Sequence, residues 1–364
     1  MKTTVPQNNE RIMKKRDDWV RATARRIRER IQPLTEQTFQ NFLQPSLQPI
    51  GKTLGQGAIA LIAMALVGCG SNPDPAASSD GDDRPSVVTT STMITDWTGA
   101  IAGDEIALQG LLDPGADPHI YEPVPQDTQA IEDADLILYN GYDLEPALIR
   151  LIEATGIDAT TLAVATTVTP LDLDDDGETV PDPHVWGDVE NVIPMVAAIR
   201  DELIALSPDD SDVFQTNADA YIAELEQLDA WVSEQIATIP PNQRQLVTTH
   251  DAFAYYANAY GLEVTGTLIG ISTEEQPSAQ TVQQLVESIR TLNVPAIFAE
   301  TTINPTLIET VAQEANVTLA DQELYSDSLG AAGSNGETYI QMMVANTEAI
   351  VTHLGGTITP FDME

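Results

Sequence analysis

Two series of short apolar runs alternate with amphipathic helical segments, one on either side of a single long helical stretch, and this pattern restricts what the 364-residue chain can become. The first series reads as strands at Val87–Thr90, Ile106–Leu108, Leu136–Tyr139 and Thr161–Val164, with helices at Ile94–Ile101, Pro125–Ile131 and Leu144–Thr155. The second reads as strands at Gln245–Thr249, Val264–Leu268, Ala296–Ala299 and Val317–Ala320, with helices at Ala252–Tyr260, Thr281–Leu292, Pro305–Ala315 and Tyr339–Leu354. Such alternation predicts an α/β fold class, with mostly parallel sheets carrying helices on both faces. Between the series, Ser207-Pro208-Asp209-Asp210 has the marks of a helix start, and Pro240-Pro241 those of a stop. Apolar residues recur at steps of three and four from Phe214 through Ala218, Tyr221, Leu225, Leu228 and Val232 to Ile236. About 31 residues at roughly 1.5 Å each make a rod of roughly 45 Å, long enough to join two lobes. The expected division is a first lobe over 87–206, a linking helix over 207–240 and a second lobe over 241–364.

The first 68 residues obey a different chemistry. They hold 11 of the 16 Lys and Arg but only 5 of the 56 Asp and Glu, which leaves 5 basic against 51 acidic residues after them, a formal charge of −46. A basic leader followed by the apolar run Gly57–Gly68 is the pattern of a secretory signal, and the run is too short for an ordinary membrane span. It ends in Leu66-Val67-Gly68-Cys69, which resembles the lipobox of bacterial lipoproteins, where the cysteine is acylated and becomes the first mature residue. Cys69 is the only cysteine, so no intrachain disulfide can form. The expectation is export, with the protein lipid-anchored to a membrane through Cys69 and facing the periplasm or cell exterior. The leader is long, and Met13 ahead of Lys14-Lys15-Arg16 offers an alternative start. The Ser-, Asp-, Pro- and Gly-rich stretch within 69–86 reads as a flexible tether.

So acidic a surface repels itself, and the repulsion is relieved as the Debye length shrinks from about 10 Å at 0.1 M salt to about 3 Å at 1 M. Adaptation to a high-salt exterior is the reading that follows. The same charge argues against nucleic acid and anionic membrane surfaces as partners. Most of the carboxylates belong to solvated faces.

The chain has four histidines, and their settings differ. His119 and His184 each end an Asp-Pro-His tripeptide, Asp117-Pro118-His119 and Asp182-Pro183-His184. Proline blocks helix at the residue before it and fixes how the chain arrives at the imidazole, which aims both rings rigidly. His250 stands where the apolar run Leu246–Thr249 turns into a helical run, the strand-to-helix position at which α/β proteins build sites. His353 lies within the last helix with no such neighbourhood and is read as a non-ligand. Asp327, in the loop Leu324–Gly330, follows the last strand as His250 follows the first of its series. Ahead of His184, Leu171–Glu178 has calcium-loop features, with Gly177 sixth from Asp172, but Pro183 takes the twelfth place that the loop reserves for Glu. A solvated acidic loop is expected there.

From Val87 onward the chain resembles the metal-specific (zinc/manganese) solute-binding lipoproteins of bacterial ABC importers, the family of the lipoprotein receptor antigens. The resemblance rests on Asp117-Pro118-His119 with Tyr121-Glu122-Pro123, on Asp182-Pro183-His184-Val185-Trp186, on Thr249-His250-Asp251-Ala252-Phe253 with Tyr255-Tyr256 and Tyr260-Gly261-Leu262, and on Leu324–Gly330. It implies two Rossmann-like lobes joined by one long helix with the ion between them. It also implies metal ligands His119 and His184 from the first lobe and His250 and Asp327 from the second. Three imidazoles and one carboxylate suit four-coordinate Zn2+, whereas Mn2+ prefers more oxygen. In the family the third ligand resembles a selector, glutamate in many manganese and iron receptors and histidine in zinc receptors, so His250 favours zinc. The histidine-rich loop of many zinc members is replaced here by the acidic Leu171–Glu178 segment, which keeps manganese, or iron, open. The implied partners are the divalent ion and a membrane permease; no phosphate loop is evident, so the ATPase is another chain. A monomer is expected. A rigid linking helix allows small tilts, so release would part the His119/His184 pair from the His250/Asp327 pair. An enzyme would need an open position on its zinc that Asp327 would close, and a surface adhesin is the other alternative, since members have carried that label.

Overall fold

Each lobe is a small parallel sheet sandwiched between helices, and the strand order is the same in both. The computed structural model describes residues 84–175 and 178–362. In the first lobe, β1 (Ser86–Thr89), β2 (Ala107–Gly110), β3 (Leu136–Tyr139) and β4 (Thr160–Ala163) form one parallel sheet in the order β2-β1-β3-β4. In the second, β7 (Gln245–Thr248) pairs in parallel with β8 (Glu263–Thr267), and β9 (Ala296–Ile297) with β10 (Thr318–Leu319). The backbone N–H of Phe298 donates to the Val247 carbonyl at 3.0 Å, which sets β9 beside β7 and repeats the first lobe's order as β8-β7-β9-β10.

The apolar runs divide between the two faces because successive strand residues point opposite ways. Val87, Leu136 and Leu138 enter one core, and their neighbours Val88 and Ile137 enter another. The first core is covered by α1 (Thr92–Ala102), the second by α2 (Pro125–Glu132) and α3 (Pro146–Thr155). In the second lobe Leu246 and Val247 divide in the same way, Val247 packing under α7 (Ala279–Leu292) and α8 (Thr306–Ala315). Local chemistry sets the helix ends: Ser91 and Ser278 accept from the backbone three residues on. Gly261, Asn293 and Asn316 close α6 (Ala254–Tyr260), α7 and α8 in the left-handed conformation.

The linking helix α5 spans Ser211–Ala237, 27 residues, not the expected 31, because Pro208–Asp210 forms a separate 3-10 turn. Its stripe of Phe214, Ala218, Tyr221, Leu225, Leu228, Val232 and Ile236 is buried as its spacing predicts, joined by Trp231. Two elements were not anticipated. Val189–Leu206 is an 18-residue helix, α4, that packs along α5 and carries Pro194, which cannot donate in a helical ladder. The acidic segment before His184 is not a loop but an antiparallel hairpin, β5 (Asp172–Asp175) with β6 (Glu178–Pro181). The last helix, α9 (Tyr339–His353), runs back across α5 to α1, where the Tyr339 ring stands edge-on to Trp97 at 5.3 Å. Cys69, the leader 1–68 and the tether up to residue 83 lie outside the described residues. Among the described residues no helix is long and apolar enough to cross a membrane.

Candidate metal centre

Asp113-Pro114-Gly115-Ala116 builds the loop that carries His119. The Ala116 N–H returns to the Asp113 carbonyl at 2.9 Å, and Gly115 holds φ at 85°, the type II arrangement that needs glycine at its third place. Asp117 then accepts from the His119 backbone N–H at 3.0 Å. Asp182 accepts likewise from the backbone N–H of His184 at 2.9 Å, as that residue leaves β6 for a 3-10 turn over Val185–Gly187. The two tripeptides share this backbone clasp and diverge beyond it. Asp182 also accepts from the His184 ring Nδ1 at 2.8 Å, whereas the second oxygen of Asp117 takes the Thr273 hydroxyl at 2.6 Å.

His250 follows β7 by two residues. Its ring Nδ1 donates to Glu300 Oε2, while Glu300 Oε1 accepts from the backbone N–H groups of Thr249 and His250, both at 2.8 Å. Glu300 was not singled out in the sequence, although a signal was present: a carboxylate that ends the apolar run Ala296–Ala299, level with His250 at the end of the neighbouring strand. A carboxylate held at Nδ1 turns the Nε2 edge of the ring the other way, for His184 and His250 alike.

Those nitrogens converge. His119, His184, His250 and Asp327 each offer one atom to a group lying within 4.8 Å of one another, and all four residues are buried. His119 Nε2 and His184 Nε2 are 3.3 Å apart, His184 Nε2 and Asp327 Oδ1 3.4 Å, His250 Nε2 and Asp327 Oδ2 3.1 Å, and His119 Nε2 and Asp327 Oδ2 3.8 Å. Tetrahedral bonds of roughly 2.0–2.1 Å to zinc give donor-to-donor edges of about 3.3 Å, so the spacing fits a shared cation. His250 Nε2 and both Asp327 oxygens are fully enclosed yet complete no hydrogen bond, despite the short His250–Asp327 separation. Buried polar atoms left this way are costly unless something binds them, and a cation at the centre satisfies all three together. His353 stays outside the group, pairing with Asp321 and standing edge-on to Phe298.

The electrostatics divide the histidines. Burial pushes the His119 imidazole down to about 3, more than the Asp327 carboxylate restores, with His184 and His250 adding repulsion, so His119 is neutral. Burial also opposes charge on His250, but the Asp327 and Glu300 carboxylates outweigh it and hold the imidazolium well above its ordinary range. Asp327 is the converse: burial favours the acid, and the three surrounding imidazoles, His250 foremost, keep it ionised.

The model of the family described as ZnuA, zinc-uptake complex component A, periplasmic, matches residues 87–353. The manganese-binding lipoprotein MntA of Halalkalibacterium halodurans is 37% identical over 297 residues, 81% of this chain and 96% of its own length. The zinc-binding protein TroA of Treponema pallidum is 37% identical over 282 residues, 76% of this chain and 91% of its own. The solved structure of that periplasmic zinc-binding protein superposes with a TM-score of 0.71, covering 74% of this chain and 99% of the other. Similarity to both relatives leaves the ion open while fixing the class.

Proposed function

The chain belongs to the family of ZnuA-type substrate-binding proteins of metal-importing ABC transporters, and from that premise we propose that it captures one zinc ion between its lobes and delivers it to the importer's permease. His119, His184, His250 and Asp327 are the ligands. The observation that carries the reading is the convergence of three imidazole Nε2 atoms and one carboxylate in an enclosed site, where among the described residues the Asp327 oxygens complete no hydrogen bond. Three nitrogen donors and one carboxylate match zinc's preference. No position on the ion is reserved for a substrate water, so the role is carriage, not turnover. Cys69 anchors the protein to the membrane by lipidation, extracytoplasmically, through the tether over 69–86, and the protein works as a monomer. Its lobes are 87–206 and 241–364, with the linking helix between.

Manganese is the second reading, favoured by one feature: both Asp327 oxygens face the imidazoles, so a bidentate carboxylate would raise the oxygen count. Any nitrogen-rich site prefers zinc to manganese in open competition. The deciding measurement is therefore elemental analysis of protein isolated without added metal, beside the competition. One equivalent of zinc supports the first reading; manganese retained in zinc's place overturns it.

A further inference from the structure

Chain order assigns Asp327 to the same half as His250, but the hydrogen bonds of the residues on either side of it reach the other. Leu324 is the last residue bonded to the second lobe's strands, donating to the Ala299 carbonyl at 2.9 Å and accepting from Thr301 N–H at 3.0 Å. From Ser326 onward the partners change. The Trp186 indole N–H donates to the Ser326 carbonyl at 3.0 Å. The Gly115 N–H is shared between the Ser328 hydroxyl at 2.8 Å and the Leu329 carbonyl at 3.1 Å. The Leu329 N–H donates to the Thr92 hydroxyl at 2.9 Å. Farther along, the Tyr339 hydroxyl donates to the Trp186 carbonyl at 2.7 Å, and its N–H to Asp96 at 3.0 Å. Thr92, Asp96, Gly115 and Trp186 all belong to the first lobe. Toward the second, Thr302 stands against the Ser326 hydroxyl at 3.5 Å and Asp327 faces His250, while Tyr325, just ahead of the stretch, donates its N–H to Asn346 Oδ1 of α9 at 2.9 Å and accepts from the Asn346 side chain at 2.7 Å. His250, by contrast, is fixed within its own lobe by Glu300.

We propose that the site divides three to one: Asp327 is held by the first lobe together with His119 and His184, Thr92 and Trp186 are the residues that position it, and parting of the lobes withdraws His250 alone. The inference rests on the metal-binding role given above. Ser326, Asp327 and Ser328 are buried at 3%, 1% and 1% exposure, so these bonds are shielded from water and persist under small displacements. An ion left on three first-lobe donors has one open position, through which a permease-side ligand can enter before the remaining bonds break. Stepwise exchange of this kind lets a tightly held ion leave without all four donors releasing together.

Amide hydrogen exchange on the full chain tests the division, with zinc bound and after its removal by chelator. The Leu171 N–H donates across the interface to the Tyr255 hydroxyl of α6 at 2.8 Å and reports on parting of the lobes. The expected result is that zinc removal speeds exchange at Leu171 at least about tenfold and leaves Gly115 and Leu329 within about twofold. Loss of protection at Gly115 and Leu329 along with Leu171 overturns the proposal, because the loop would then leave with the second lobe. Unchanged protection at all three overturns it as well, since nothing would have parted.

Thr92→Val and Trp186→Phe supply an independent test through zinc competition with a chromophoric chelator. Each is expected to weaken zinc about tenfold or more, the scale seen when residues that orient metal ligands are removed. In an Asp327→Asn background, Thr92→Val should have no further effect, because it acts through Asp327. An undiminished effect there would mark Thr92 as merely structural and sink the assignment. Failure of the unaltered chain to bind zinc would instead defeat the metal-binding reading itself.

Discussion

At the scale of single residues, the histidines are alike in type and unlike in state. His119 is already neutral near pH 7, its value pushed down to about 3. His250, raised above its ordinary range between two carboxylates, carries a proton that the incoming metal must displace. The sign follows: metal affinity climbs as pH rises toward the His250 value and falls, by about tenfold per pH unit for one competing proton, below it. Calorimetric zinc titrations at pH 7 in buffers of different ionisation enthalpy should therefore report release of about one proton, and a buffer-independent enthalpy would refute the charged state of His250. Glu300→Gln keeps the oxygen that accepts from the Thr249 and His250 amides but removes the charge behind the imidazole. Competition titration of this variant should show zinc weakened about 10–100-fold with the fold intact. The three converging histidines stood out in the sequence because histidine is scarce here, and they and Asp327 each sat at a turn or strand end. Glu300 did not, because its role depends on lying beside His250 across 50 residues of chain.

At the scale of elements, the periodic segments were the legible ones. The α5 stripe was read position by position, and β3 was read to its exact ends, since a run apolar on both faces can only be interior. The helix α4 was not read from the sequence; it carries Pro194, which removes one donor from the helical ladder. The β5–β6 hairpin escaped because its composition argues for solvation, while its pairing comes from backbone hydrogen bonds that composition does not reveal. Leu225 lies in the middle of α5, fully buried where the first lobe, the linker and α9 share one core. Leu225→Ala should destabilise the protein by about 2–5 kcal/mol in chemical denaturation, the cost of a lost side chain and the cavity behind it.

For the whole molecule, charge and topology act together. With 5 basic against 51 acidic residues over 69–364, basic side chains are too few to pair with most of the carboxylates, and net repulsion remains. Raising sodium chloride from dilute buffer to about 1 M should raise the melting temperature by several degrees, because the Debye length falls to about 3 Å; a melt insensitive to salt would remove the high-salt interpretation. The two lobes repeat one strand order, and the candidate donors lie where the loops of both meet. What the sequence by itself determined was the alternating α/β architecture, the long linker and the candidate donors, because periodicity, prolines and scarce residue types are written locally. That Glu300 meets the His250 imidazole, and that the residues beside Asp327 bond to Thr92, Gly115 and Trp186, was decided only by the tertiary structure. Hydrogen bonds of this kind join residues as much as 243 positions apart, and each exists only once packing has placed its donor and acceptor within reach.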